Sequence, residues 1–180
     1  MEEGKTNMTA ADNMGAVLRC LAGGTGAPAS DVLGTIVEFV TQEDEQVCVI
    51  RGIVPPGITV PLHSHADFED FFILAGSHQV LVEGEHGLQW HDARAGDYIR
   101  VPGDVPHAHR NVLKEPAIDL IITTARMGRF FREVSRPVGS PPPTRQEMAY
   151  FVDVANSYGY HMATPEENAA VGISLPNFPA

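Results

Sequence analysis

The chain has 180 residues and a mass of 19.4 kDa, enough for one domain with a buried core. Twelve Lys and Arg against 23 Asp and Glu give a net charge of −11, which excludes the basic footprint of a nucleic-acid or anionic-membrane binder. Apolar residues at 43% and charged residues at 19% exclude an unfolded chain, and 14 Pro with 17 Gly point to short strands and many turns.

In chain order, residues 1–13 are polar, lack periodicity and are expected to fray. Met1-Glu2-Glu3-Gly4 has neither the basic nor the apolar region of a secretory signal. The longest apolar runs, such as Phe71–Ala75, are far too short to cross a bilayer, so a cytoplasmic location is expected. Cys20 and Cys48 form no C-x-x-C pair and read as buried free thiols. After a first apolar run, Ala16–Leu21, strands are expected over Thr35–Val40, Val47–Val54, Phe71–Leu74, Gln79–Val82, Leu88–His91, Tyr98–Val101 and Ile118–Thr124. A strand about every 8–12 residues suggests a sandwich or barrel, placed here at residues 14–126.

The texture then changes, and residues 127–180 read as a helical extension. Gly128–Val134 fits one or two helical turns. Thr144-Arg145-Gln146-Glu147 is a capping box, followed at helical spacing by Met148, Phe151, Val152, Ala155 and Tyr158, with Gly159 as a stop. Thr164-Pro165-Glu166-Glu167 opens a second helix. The apolar stripe of the first helix is expected to cover the barrel's outer sheet at Phe68, Phe72 and Leu74, or a dimer seam, in a purely structural role.

Two stretches carry chemistry. One runs from Gly57 through His63, His65, Asp67 and Glu69 to Gly76; the other runs from Gly96 through Pro102, His107 and His109 to Asn111. In a strand, side chains two apart share a face, so His63, His65, Asp67, Glu69 and Phe71 point together unless a bulge intervenes, and Asp70 points away. His107 and His109 likewise share a face on another strand, and one of them can complete a set of three imidazoles and a carboxylate. Nitrogen and oxygen ligation without thiolate suits one divalent Fe, Mn, Ni, Co, Cu or Zn ion with open positions, and argues against a structural zinc site. His78, His86, His91 and His161 have no partner at ligand spacing and read as solvated turn or edge residues.

Together the stretches resemble the paired signature of the cupin superfamily, G-x5-H-x-H-x3-E-x6-G and G-x5-P-x-G-x2-H-x3-N. Gly57, His63, His65, Glu69, Gly76, Gly96, Pro102, His107 and Asn111 fall on nine of its ten fixed positions, with Asp104 where the pattern has Gly. The resemblance implies an all-β fold, a double-stranded β-helix or jelly-roll barrel, here with the C-terminal helical extension. It implies metal ligands at His63, His65, Glu69 and His107, so His109 and Asp67 are expected near the site but not on the metal. It also favours a homodimer. Arg94–Tyr98, Val101–His107 and the helices after the last strand further resemble single-domain quercetin 2,3-dioxygenase-like cupins. The expected function is therefore a metal-dependent dioxygenase acting on a small, apolar or aromatic substrate, with Glu69 as the group that takes the substrate's proton. The alternatives are a metal-dependent lyase, decarboxylase or isomerase, and a non-catalytic small-ligand binder. Clustered Arg or Lys for a phosphosugar or nucleotide is absent.

Overall fold

The computed structural model describes residues 21, 24–43, 45–85 and 87–175. The expectations for residues 1–13, for the run Ala16–Leu21 apart from its last residue, for Cys20 and for His86 lie outside these. The chain is mostly β, in two antiparallel sheets, and the helices of the described residues follow β10. The strands are β1 (Ser30–Val32), β2 (Thr35–Phe39), β3 (Val47–Val54), β4 (Thr59–Ser64), β5 (Glu69–Ala75), β6 (Ser77–Gly84), β7 (Gly87–Arg94), β8 (Tyr98–Val101), β9 (His107–Arg110), β10 (Ala117–Thr124), β11 (Arg136–Pro137) and β12 (His161–Met162). The helices are α1 (Ala125–Val134), α2 (Arg145–Ser157) and α3 (Pro165–Ala170). One sheet has the order β11-β1-β2-β3-β10-β5-β8 and the other β12-β4-β9-β6-β7.

The sheets face each other over a core of Val37, Ile50, Phe71, Ile73, Val80, Val101 and Ile121. β10 shows why: every second residue, Ala117, Asp119, Ile121 and Thr123, is buried, so the strand turns one face inward along its whole length. Cys48 lies under α1, where burial pushes its thiol up, and a Cβ on Gly128 would come 2.6 Å from its sulfur.

The motif residues that bear no metal chemistry shape turns. Gly76 has φ +69°, and an added Cβ there would meet the Pro116 carbonyl at 2.5 Å, so both conformation and space demand glycine. Asp104 takes φ +67°, a left-handed conformation that Asp tolerates better than most residues, and its N–H donates to the His65 carbonyl at 2.7 Å. The departure from the cupin pattern thus keeps the turn. Asn111 joins three segments, its amide donating to the carbonyls of Val54 and Glu115 at 2.8 Å and its oxygen accepting from the Leu113 N–H at 2.9 Å.

The extension does not cover the strand face expected of it. Phe151, Val154, Ala155 and Tyr158 of α2 turn toward α1 and meet Met127, Phe130 and Val134, whereas Val152 faces outward and Phe72 stays exposed. Phe130 is the hub, with ring centroids 5.9 Å from Phe151, 5.6 Å from Tyr158 and 4.2 Å from Tyr160. Beyond Gly159, at φ +75°, β12 adds to the edge of β4 in the register Met162 to His63. Asn168, fully buried, accepts from the Leu62 N–H at 2.9 Å, and Trp90 donates to the Val171 carbonyl at 2.9 Å. The extension is therefore stitched to the strand that carries His63, which a stripe on one helix could not reveal.

Candidate metal centre

His63, His65, Glu69 and His107 are all buried, and one ligand atom of each lies within 4.8 Å of the others. They do not come from one face of one strand. β4 belongs to one sheet and β5 to the other, and the chain crosses between them at residues 65–68. His63 lies at the end of β4 after a register shift, His65 in the crossing, Glu69 at the start of β5 and His107 opposite His63 on β9. Parity named these four side chains together with Asp67; the structure gathers the four from β4, the crossing, β5 and β9 of the two facing sheets and turns Asp67 elsewhere.

Each histidine is aimed by a backbone carbonyl. Nδ1 of His63 lies 2.7 Å from the Pro61 oxygen, that of His65 2.8 Å from Asp67, and that of His107 2.8 Å from Val105. An Nδ1–H that donates to a carbonyl leaves, in a neutral ring, a lone pair on Nε2. Those of His65 and His107 face Glu69 Oε2 at 3.4 and 3.1 Å. A lone pair held against a carboxylate oxygen requires a proton or a cation between them. Three imidazoles and a carboxylate with this tautomer fit one divalent transition ion, so a metal is a chemically sound occupant.

The electrostatics agree. Burial alone would raise Glu69, but hydrogen bonds from His107 and His65 outweigh it and hold the carboxyl below the usual range. Burial would lower His65, but the hydrogen bond and charge of Glu69 outweigh it and leave the ring above its ordinary 6.5. His63 is pulled down to about 3, first by burial and then by His107. His65 must shed its proton to ligate, so metal affinity should fall as pH drops through the neutral range, by up to about tenfold per pH unit for one displaced proton. Glu69 stays ionised and His63 adds no competition there. A competition titration between about pH 8 and 5 should show this decline, and a flat profile would contradict imidazole ligation.

Asp67 is buried but turned away: Thr124 donates to it at 2.5 Å and the Arg126 guanidinium at 2.7 Å. It thereby anchors the start of α1, because Thr124 also caps that helix. His109 points into the barrel beyond His107, with ring centroids 5.7 Å apart. His91 and His161 are exposed, as expected. His78 is not; it is 1% exposed inside the barrel, 3.6 Å from Asp119 Oδ2. Its position inside β6 after Gly76, on the same face as Val80, was the signal for this.

Tyr160 was missed. Its ring lies parallel to His63 at 5.9 Å and 4.7 Å from His65, and its hydroxyl is buried without a hydrogen-bond partner. Burial, then the charges of Glu69 and Asp67, hold the phenol well above its ordinary 10. It stands one residue past the Gly159 helix stop, where α2 has ended and the chain turns back along β4. Tyr160, His63 and Glu69 line one cavity of about 100 Å³ with Phe71, Ile121 and Phe130.

Residues 50–123 match the Cupin domain family. These residues are a cupin domain. Over 94 residues the chain is 34% identical to dimethylsulfoniopropionate lyase DddQ of Ruegeria pomeroyi, a match that takes in 51% of this chain and spans only 37% of that relative's length. The crystal structure of DMSP lyase DddQ from Ruegeria pomeroyi superposes on 45% of this chain and 39% of its own, at TM-score 0.40 and 28% identity. The polyketide cyclase RemF from Streptomyces resistomycificus superposes on 56% of this chain and 70% of its own, at TM-score 0.47 and 16% identity. Cupins include many enzymes, and the curated protein that this chain resembles in sequence is named a lyase. Among the described residues, no helix is long and apolar enough to cross a membrane.

Proposed function

We propose that this cupin is a metal-dependent enzyme of the lyase type, acting on a small carboxylate that carries a leaving group on the carbon next but one to the carboxyl. The observation that carries the reading is the unpartnered phenol of Tyr160, buried against the histidines of a set that could hold a metal. The 34% identity to a lyase over 94 residues supports it. A divalent cation held by His63, His65, Glu69 and His107 supplies Lewis acidity toward a substrate oxygen and lowers the proton affinity of a nearby phenol. Beside such a cation Tyr160 would give its phenol proton to solvent, and the phenolate Oη then takes the proton from the carbon next to the carboxyl. The C–H bond beside the carboxyl breaks, its electron pair becomes the carbon–carbon double bond, and the leaving group departs with its own bonding pair. Glu69, expected to take that proton, is a weak base here because two imidazoles hold it ionised at low proton affinity; its role in this scheme is ligation.

Apolar walls also suit an aromatic substrate for oxygenation. The test is turnover of dimethylsulfoniopropionate and related carboxylates by the metal-loaded protein, followed by the unsaturated acid formed. Tyr160→Phe should lower kcat by about 10²–10⁴-fold with metal content unchanged. Full turnover by the Phe variant would remove Tyr160 from the mechanism, and oxygen uptake linked to turnover would favour the dioxygenase instead.

A further inference from the structure

A second group of polar side chains continues inward from the four-residue set. The imidazole of His109 lies 5.6 Å from that of His78, and His78 Nδ1 lies 3.6 Å from Asp119 Oδ2, too long for a hydrogen bond. His78, His109 and Asp119 are 1%, 5% and 1% exposed. Both nitrogens of each imidazole and Oδ1 of Asp119 are buried without a partner. Leaving such a group unsatisfied costs about 1–3 kcal/mol, so five together need something to bind. All three residues line the cavity that His63 and Glu69 also line. The backbone makes room for them: Asp119 on β10 sits opposite Gly52 on β3, where any Cβ would collide with Asp119 Oδ1.

We infer that His78, His109 and Asp119 are the second recognition point of the substrate site, binding a hydrogen-bond-donating group, hydroxyl or ammonium, at the far end of a small molecule whose oxygen faces the four-residue set. The inference rests on the metal reading of that set and not on the lyase reaction. Charge selects the class of group. Among the described residues no Lys or Arg lines the cavity, so an anion there would meet a buried carboxyl with no described cation to offset it. A second metal ion is disfavoured by geometry, because among the described residues the four-residue set is the one group of three or more His, Cys, Asp or Glu placed to hold an ion. The apolar walls, among them Phe71 with its ring 4.3 Å from that of His109, hold the body of the molecule between the two poles.

The experiment is calorimetric titration of the metal-loaded protein with short straight-chain carboxylates of increasing length, each ending in methyl, hydroxyl, ammonium or carboxylate. At one length at least, the hydroxyl or ammonium member should bind about tenfold more tightly than the methyl member, as one buried hydrogen bond allows. Which of the two wins tells a neutral donor from a cationic one. That preference should disappear in Asp119→Asn and in His78→Phe with metal content unchanged. If the methyl or carboxylate member binds best at every length, if no member binds, or if the preference survives both substitutions, the polar row holds ordered water only and the inference is overturned. Elemental analysis separates this outcome from failure of the metal reading, which a preparation unable to take up metal would show.

Discussion

His107→Ala should lose its metal during dialysis against a mild chelator while the wild-type protein keeps it. His107 is fully buried, its Nδ1 is fixed by Val105 and its Nε2 faces Glu69 at 3.1 Å. Loss of a hydrogen-bonding partner behind a ligand already costs roughly 10–100-fold in metal affinity, and loss of the ligand itself should cost more. The substitution also takes from buried Glu69 one of its two imidazole partners, so the metal-free variant is expected to be less stable than the metal-free wild type. His109→Ala is the control. It removes a ring from the same strand and the same interior and should leave metal content within error. Full occupancy in His107→Ala, or metal loss in His109→Ala with an intact circular dichroism spectrum, would reassign the set.

Removing residues 140–180 should give an insoluble or unstable protein. The deletion uncovers Met127, Phe130 and Val134 of α1, each of which is buried against α2 or Tyr160. At about 1.5–3 kcal/mol per large apolar side chain, exposing them costs on the order of 5–9 kcal/mol, which rivals the whole stability of an ordinary domain. It also strips β12 from the edge of β4 and removes the Asn168 oxygen that accepts from Leu62. Size-exclusion chromatography with metal analysis reads the outcome. A soluble, monodisperse, metal-loaded truncation would show that the extension is dispensable to fold and metal set alike. Phe130→Ala is the milder companion, expected to cost about 3–5 kcal/mol and to be measured as a fall in Tm.

Much of this protein is written in short-range chemistry. The alternation in β10, the turn glycines and the two capping boxes specify their elements through contacts a few residues apart, so strands and helices could be read with small errors at their ends. The convergence of His63, His65, Glu69 and His107 was also legible, because motif spacing fixes which side chains face inward once two strands oppose each other. What the extension does was not. The stripe on α2 shows that it must be covered, but apolar burial has no direction of its own, and only the packed structure sets α2 against α1 rather than on the sheet at Phe72. Tyr160 follows from that placement: a lone tyrosine past a helix stop has no spacing that marks it, and it becomes part of the site because β12 pairs with β4. His78 and Asp119 belong to different strands whose separation along the chain carries no signal. The barrel alone brings them together, and their burial without partners is a property of the folded interior that no local pattern encodes.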